Sequence, residues 1–208
     1  MEKDSKQERR LQRLLEEVRA CRVCESVLPF APRPVLRARA SARLLVVGQA
    51  PGTRVHETGI PWNDPSGDRL RNWLQVDREF FYDESRVAII PMGFCYPGKG
   101  RSGDLPPRPE CARQWRESLL ACLPDIELTL LIGQYAQQYH IPEAGKSVTE
   151  TVQRWREFAP ACIPTPHPSP RNLRWLERNP WFEQDLVPEL RRRIRKIFPE
   201  LPEPEQSG

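Results

Sequence analysis

Four of the six cysteines are the first candidates for chemistry in this chain. Cys21 and Cys24 form a Cys-x2-Cys pair, and Cys95 and Cys111 follow with fifteen residues between them. Thiolates in such groups bind soft metal centres, and four of them complete either a tetrahedral zinc site or an iron–sulfur cluster. We therefore predict a metal centre held by these four residues, and the spacing leaves both metals open.

Two proline-containing turns form the second group of candidates. The run Gly48-Gln49-Ala50-Pro51-Gly52 follows one apolar stretch, and the run His167-Pro168-Ser169-Pro170-Arg171-Asn172 follows another. Ligands of open parallel sheets bind at the carboxyl ends of the strands. If both apolar stretches are strands of one such sheet, the two turns lie at the same edge, and we expect them to share a site.

The hydrophobic pattern predicts the elements that position these turns. Continuous apolar runs predict buried parallel strands at 42–48, 87–94, 128–133 and 161–166. Apolar residues at helical spacing predict helices at 6–21, 66–74, 109–122, 135–140, 147–158 and 181–198. This alternation is typical of a three-layer α/β/α sandwich with a central, mostly parallel sheet of about four strands. We expect one domain at 1–198 and a disordered polar tail at 199–208.

Charge and composition exclude several classes of protein. The net charge is only +4, so any contact with nucleic acid must come from local basic patches. No apolar run is long enough to span a bilayer, and the charged first ten residues have no apolar segment after them, so we expect neither a membrane anchor nor a secretory signal. Grouped cysteines in an unsecreted protein indicate a reducing compartment, and we expect a cytoplasmic protein.

These motifs together resemble the uracil-DNA glycosylase superfamily, and most closely its iron–sulfur (family four) branch. The resemblance extends over residues 21–181 and includes the cysteines, both turns and the segment Glu57-Thr58-Gly59-Ile60-Pro61-Trp62. It implies a monofunctional DNA glycosylase of base excision repair, which hydrolyses the N-glycosidic bond of a flipped-out uracil and leaves an abasic site. It also implies a [4Fe–4S] cluster rather than zinc, DNA as the partner, no small-molecule organic cofactor, and a monomer.

The resemblance also assigns roles to residues. It implies that Gln49 holds the attacking water and that His167 donates a hydrogen bond to the leaving base. It implies that Trp62 stacks on that base, beside Gly48, Ala50, Pro51 and Gly52 of the first turn. It implies that Ser169 holds a phosphate while Arg171 and Asn172 enter the space left by the flipped nucleotide. The basic loop after Cys95 adds two expected phosphate contacts, Lys99 and Arg101.

Two departures from the family-four pattern bear on activity. Gln49 stands where that branch has an acidic residue, and an amide holds a water but accepts no proton. Nearby Asp64, Asp68 and His56 are candidates for an auxiliary charge, although Asp64 also suits a helix cap. Near Met92, which we expect to line the base pocket, the chain lacks the Asn that reads uracil in related enzymes. Hypoxanthine and other deaminated bases are therefore alternatives to uracil.

The same departures keep a second function open. A non-catalytic nucleic-acid or lesion-binding protein on this fold would bind DNA without releasing a base, because fold alone does not determine chemistry. Cys122 and Cys162, in an apolar helix and beside a strand, are expected to remain unligated thiols.

Overall fold

A parallel sheet between two layers of helices organises the chain. The computed structural model describes residues 2–101 and 103–201. Within that part of the chain the strands are β1 (Leu44–Val47), β2 (Val87–Ile89), β3 (Lys99–Gly100), β4 (Gly103–Asp104), β5 (Leu128–Ile132) and β6 (Cys162–Thr165). Strands β1, β2, β5 and β6 form one parallel sheet in the order β2-β1-β5-β6, and β3 pairs with β4 in a separate antiparallel hairpin.

Both faces of the sheet are buried. Side chains alternate along β1, so that Leu44 and Val46 belong to one hydrophobic core while Leu45 and Val47 belong to the other. The first core also contains buried residues of the helices at 65–74 and 187–197, and the second contains residues of the N-terminal helix. The predicted three-layer sandwich with about four parallel strands is confirmed.

The helices agree with the sequence pattern where the pattern is long. They are α1 (Glu2–Arg19), α2 (Thr53–Thr58), α3 (Pro65–Leu74), α4 (Arg78–Tyr82), α5 (Pro109–Cys111), α6 (Glu117–Leu120), α7 (Gln134–His140), α8 (Val148–Gln153), α9 (Trp155–Phe158), α10 (Leu173–Arg178) and α11 (Val187–Ile197). Two π-helical segments at Ala112–Arg116 and Phe182–Leu186 and a 3-10 turn at Pro170–Asn172 complete the set.

Several short elements of the structure have no counterpart among the elements predicted from the sequence. Helices α2, α4 and α10 and the β3–β4 hairpin have six residues or fewer per element, which is too few to show a period. The predicted helix at 109–122 is interrupted by the first π-helical segment, and the one at 147–158 is broken at Arg154.

The segment after the last helix packs against the domain as far as residue 201. Leu201 packs against the first core, whereas positions 202–208 of the predicted tail lie outside the described residues. Among the helices that are described, none combines the length and the apolar character that crossing a bilayer requires.

A buried arginine connects the second layer of helices to the sheet. Arg116 is fully buried and donates from Nη2 to the carbonyl oxygens of Ile90 and Pro91, directly after β2. Its Nη1 lies 3.3 Å from Nε2 of His140, which must accept there because a guanidinium only donates. Burial, together with this adjacent cation, lowers the pKa of His140 to about 4. The imidazole is therefore neutral in the folded protein near neutral pH.

This pair predicts a pH-dependent stability. Because the pKa of His140 is lower in the folded than in the unfolded chain, its contribution is complete above the unfolded value near 6.5 and is lost as the pH falls toward 4. The unfolding free energy of the wild-type protein should fall between pH 7.5 and pH 5. His140→Gln keeps an acceptor for Arg116 but does not titrate, so we expect its unfolding free energy to fall less over the same range, by a margin of about 2 kcal/mol or less. Urea unfolding of both proteins at the two pH values measures this. Equal losses in the two proteins would contradict it.

Candidate functional site

A cavity of about 560 Å³ opens at the carboxyl end of the sheet, a volume typical of small-molecule sites. It lies where the chain order reverses from β2 on one side of β1 to β5 on the other, which is where open sheets bind ligands. Ten residues expected at the site line it: Gly48, Gln49, Ala50, Pro51, Gly52, Trp62, His167, Ser169, Arg171 and Asn172. The structure thus brings the two proline-containing turns together.

Three expected site residues do not line the cavity. The side chain of Met92 is buried in the second core, on the same side of the chain as Ile90, and its neighbour Pro91 lines the cavity instead. The expectation that Met92 lines the base pocket is corrected by this alternation of side chains. Lys99 and Arg101 are exposed on the hairpin, outside the cavity lining.

Backbone hydrogen bonds continue beyond the ends of β1 and β2 and hold the first turn. The amide of Met92 donates to the carbonyl of Gly48 at 2.8 Å, and the amide of Gly93 donates to the carbonyl of Gln49 at 2.9 Å. These bonds fix the direction in which the chain leaves the sheet, and therefore where the side chain of Gln49 begins.

Trp62 forms one wall of the cavity in a conformation that costs energy. Its φ is 57°, in the left-handed region that residues other than glycine rarely adopt. Gly67 makes room for it, because a Cβ there would lie 1.7 Å from the carbonyl oxygen of Trp62. Gly48 does the same for the ring, because its Cβ would lie 2.9 Å from Cζ2 of the indole. The indole thus reaches the end of β1 and presents an aromatic face to the cavity.

His167 faces Trp62 and is held in one tautomer. The two ring centroids lie 5.5 Å apart with a 33° angle between the planes. The amide of Ser169 donates to Nδ1 of His167 at 3.2 Å, so Nδ1 accepts and the neutral ring carries its proton on Nε2. Burial lowers the pKa of His167, and Asp64 opposes that shift. The result is a neutral donor at the cavity.

The side chain of Gln49 is oriented by the backbone of Leu105, the residue directly after the β3–β4 hairpin. Its Nε2 donates to the carbonyl oxygen of Leu105 at 2.9 Å. A carbonyl only accepts, so the amide nitrogen must face Leu105 and Oε1 must point away from it. Oε1 is then available to accept a hydrogen bond from a water molecule in the cavity.

Two carboxylates line the cavity, Asp64 and Asp104, and of these only Asp64 was a candidate from the sequence. Asp64 caps α3, because its Oδ1 accepts from the amide of Gly67 at 2.8 Å. Asp104, at the end of the hairpin, was missed. The run before Asp104 was expected to be a basic loop, and no local pattern shows that a hairpin brings Asp104 to a turn fifty residues earlier.

The other two candidates for an auxiliary charge lie outside the cavity lining. The carboxylate of Asp68 pairs with Arg71 at 2.5 Å. The ring of His56 packs against Phe30 and Tyr96, with centroids 5.3 and 6.0 Å away.

The second turn is built by its own polar side chains. The hydroxyl of Ser169 accepts from the amide of Arg171 at 3.2 Å, and Nδ2 of Asn172 donates to the carbonyl of His167 at 2.8 Å. Among the residues that the structure describes, none accepts the hydroxyl proton of Ser169, whereas Nδ2 of Asn172 is engaged within the turn. Arg171 and Leu173 are among the exposed side chains at this rim, and Leu173 has 48% of its surface exposed.

The four grouped cysteines line a second, smaller cavity. Cys21 and Cys24 follow α1, Cys95 follows the chain that leaves β2, and Cys111 ends α5. Phe94 and Trp115 are among the apolar residues around them. Three separate segments thus bring four thiols to one place, and the metal centre expected there stays a prediction.

Burial favours the protonated form of Cys24, Cys95 and Cys111. It raises the pKa of Cys95 to about 12 and that of Cys111 to about 11, and it also raises the pKa of Cys24. Within the described part of the chain, no three His, Cys, Asp or Glu side chains are arranged so that they could hold one metal ion. By their chemistry, four soft donors in an apolar enclosure fit either a zinc ion or an iron–sulfur cluster.

The tautomer of His167 predicts its titration. Because burial disfavours the charged ring, we expect the pKa of His167 to lie below the ordinary 6.5. Because Nδ1 accepts from the amide of Ser169, we expect the neutral ring, at pH values above that pKa, to carry its proton on Nε2. Long-range ¹H–¹⁵N correlation spectra report both, with His167→Gln identifying the signal. A midpoint at or above 6.5, or a proton on Nδ1, would show that the turn does not hold the ring in this way.

A comparison with protein families supports the resemblance seen in the sequence. The family model described as the uracil DNA glycosylase superfamily matches residues 37–191, well over half of the chain. The match includes both turns, Trp62, Cys95 and Cys111, and begins after Cys21 and Cys24. With the parallel sheet and the shared cavity at its carboxyl edge, it shows that the chain belongs to the uracil DNA glycosylase superfamily.

Proposed function

We propose that this protein hydrolyses the N-glycosidic bond of uracil flipped out of DNA and leaves an abasic site. Membership of the superfamily suggests a DNA glycosylase, and the choice of uracil is our inference. The observation that carries it is the neutral Nε2–H donor of His167, held at a cavity of nucleoside size opposite the indole of Trp62.

The base is proposed to lie against Trp62 with a carbonyl oxygen toward His167. Stacking on an aromatic ring contributes about 1–3 kcal/mol per base and accepts any base. As the glycosidic bond breaks, negative charge develops on the base oxygens, and a fixed donor stabilises that charge by about 3–4 kcal/mol. The proton on Nε2 therefore acts mainly in the transition state, which is what lowers a barrier.

Water is the proposed nucleophile, held by Oε1 of Gln49. Among the described residues that line the cavity there is no lysine, so none of them offers a side-chain amine to form a Schiff base with the sugar. This supports a monofunctional enzyme. The apolar residues Ile89 and Pro91 border the cavity, and we infer that shape and backbone groups select the base.

DNA is proposed to lie across the cavity mouth. The exposed cations Lys99, Arg101 and Arg171 stand on the hairpin and the second turn, where they can contact phosphates. The free hydroxyl proton of Ser169 can donate to a phosphate oxygen. Leu105 and Leu173 are exposed at 44% and 48%, and apolar side chains of this kind can enter a gap between base pairs.

Variants of the two proposed catalytic residues test this function. On a uracil-containing oligonucleotide at excess enzyme, followed by alkali cleavage, we expect His167→Ala to slow base release by about 10²–10³-fold. Gln49→Ala should slow it less, because it removes only the positioning of a water. His56→Ala is the matched control, since that ring lies outside the cavity lining, and its rate should not change.

A different result separates the alternatives. Binding of the oligonucleotide without release of uracil, hypoxanthine or another deaminated base would identify a non-catalytic lesion-binding protein. Release of hypoxanthine but not uracil would retain the glycosylase and correct the base.

We further propose that Cys21, Cys24, Cys95 and Cys111 hold a [4Fe–4S] cluster. Four thiolates on one zinc ion lie about 3.8 Å from each other, given Zn–S bonds of about 2.3 Å. The support for the cluster over zinc is the resemblance of the four cysteines to the family-four ligand set, and the four thiols share one small enclosure with Phe94 and Trp115. When bound, the cluster would join the N-terminal segment to the domain.

Loss of a ligand tests the cluster. Protein purified without oxygen should be brown, and Cys21→Ser or Cys111→Ser should remove the visible absorbance and lower the melting temperature. Cys162→Ser, outside the group, should keep the colour. Colourless protein with stoichiometric zinc would replace the cluster by zinc, and folded protein without metal would refute a metal centre.

A further inference from the structure

Gln49 leaves one chemical requirement unmet. When water attacks the anomeric carbon, positive charge develops on the sugar and the water must lose a proton. The amide of Gln49 is neutral and accepts no proton, and the proton on Nε2 of neutral His167 makes that nitrogen a donor rather than an acceptor. A group that is both anionic and able to accept a proton has to come from elsewhere in the cavity.

The hairpin supplies such a group beside Gln49. Asp104 lines the cavity, and its Oδ2 lies 3.4 Å from the point that a Cβ on Gly52 would occupy. The next residue, Leu105, provides the carbonyl that accepts from Nε2 of Gln49. The carboxylate and the water-holding amide therefore border the cavity from adjoining positions.

The surroundings of Asp104 leave its carboxylate available. Whereas Asp64 uses one oxygen to cap α3, the carboxylate of Asp104 has no hydrogen bond or ion pair among the residues that the structure describes. Partial burial raises the pKa of Asp104, and the nearby Asp64 raises it further, while Arg171 and Lys99 oppose the shift. A raised pKa brings a carboxylate closer to the range in which a general base is most effective.

We propose that Asp104 is the carboxylate that accepts the proton of the water held by Gln49. This rests on the proposed glycosylase function. The water oxygen bonds to the anomeric carbon as the bond from that carbon to the base nitrogen breaks, and the electron pair of that bond leaves with the base. The water proton moves to Asp104, and the base anion, stabilised by His167, takes a proton from solvent while Asp104 returns its own to solvent.

The hairpin also explains why position 49 is an amide. A carboxylate at Gln49 would place an oxygen against the carbonyl of Leu105, where the structure has an N–H donor at 2.9 Å. The amide of Gln49 and the carboxylate of Asp104 therefore divide one task, in which Gln49 positions the water and Asp104 carries the negative charge.

Asp104→Asn tests the proposal, with Glu57→Gln as the control for loss of one negative charge on an exposed residue outside the cavity lining. We expect Asp104→Asn to slow uracil release by about 10²-fold and to remove the acidic limb of the pH–rate profile. A second measurement compares binding of two abasic-site oligonucleotides, one with a cationic pyrrolidine and one with a neutral tetrahydrofuran in place of the sugar. We expect Asp104→Asn to reduce the ratio of the two affinities, which favours the cation in the wild-type protein, by about tenfold. Glu57→Gln should change none of these, and equal tetrahydrofuran affinity shows that the variants fold.

The outcomes separate this proposal from the one on which it rests. Base release by Asp104→Asn at the wild-type rate and with the wild-type pH profile overturns the role of Asp104 and leaves the glycosylase intact. Wild-type protein that releases no base overturns the proposed function. In that case a preference for the cationic oligonucleotide that is lost in Asp104→Asn still supports a negative charge at Asp104. A preference that Asp104→Asn retains, or the absence of any preference in the wild-type protein, overturns the role of Asp104.

Discussion

Two backbone hydrogen bonds extend the pairing of β1 and β2 past the strand ends, and the positions of both cavities depend on them. They hold the carbonyls of Gly48 and Gln49 against the amides of Met92 and Gly93. On one side they set the turn that begins the large cavity. On the other they deliver the chain to Cys95, two residues after Gly93, at the second cavity. A displacement of this backbone would therefore disturb both sites, because one short segment of main chain belongs to each.

Hydrophobic periodicity and the geometry of parallel strands account for the features that the sequence predicted correctly. Four apolar runs correspond to four strands, and because parallel strands end at one edge, Gln49 and His167 were expected to meet there, as they do. The prediction that Met92 lines the base pocket was wrong, and the alternation of side chains along the chain explains why. Side chains alternate after β2, so that Ile90 and Met92 enter the second core, and the same parity would have directed Pro91 to the cavity.

The remaining features depend on contacts between distant segments. The tautomer of His167 is set by one backbone amide, and the orientation of Gln49 is set by a carbonyl fifty-six residues later. Neither bond leaves a pattern in the sequence, because a main-chain amide or carbonyl is present at every such position. The glycine-rich run around Lys99 is equally compatible with a loop and with a hairpin, and only the hairpin brings Asp104 to the cavity.

The bond between Gln49 and Leu105 has a consequence for how this chain can change over generations. A single codon change from Gln49 to an acidic residue would meet the carbonyl of Leu105 unless the hairpin moved at the same time. Shortening the hairpin would likewise remove the acceptor that orients Gln49. Descendants of this sequence are thus expected to keep or to lose the amide and the hairpin as one inherited unit, while exposed positions such as Glu79 vary independently.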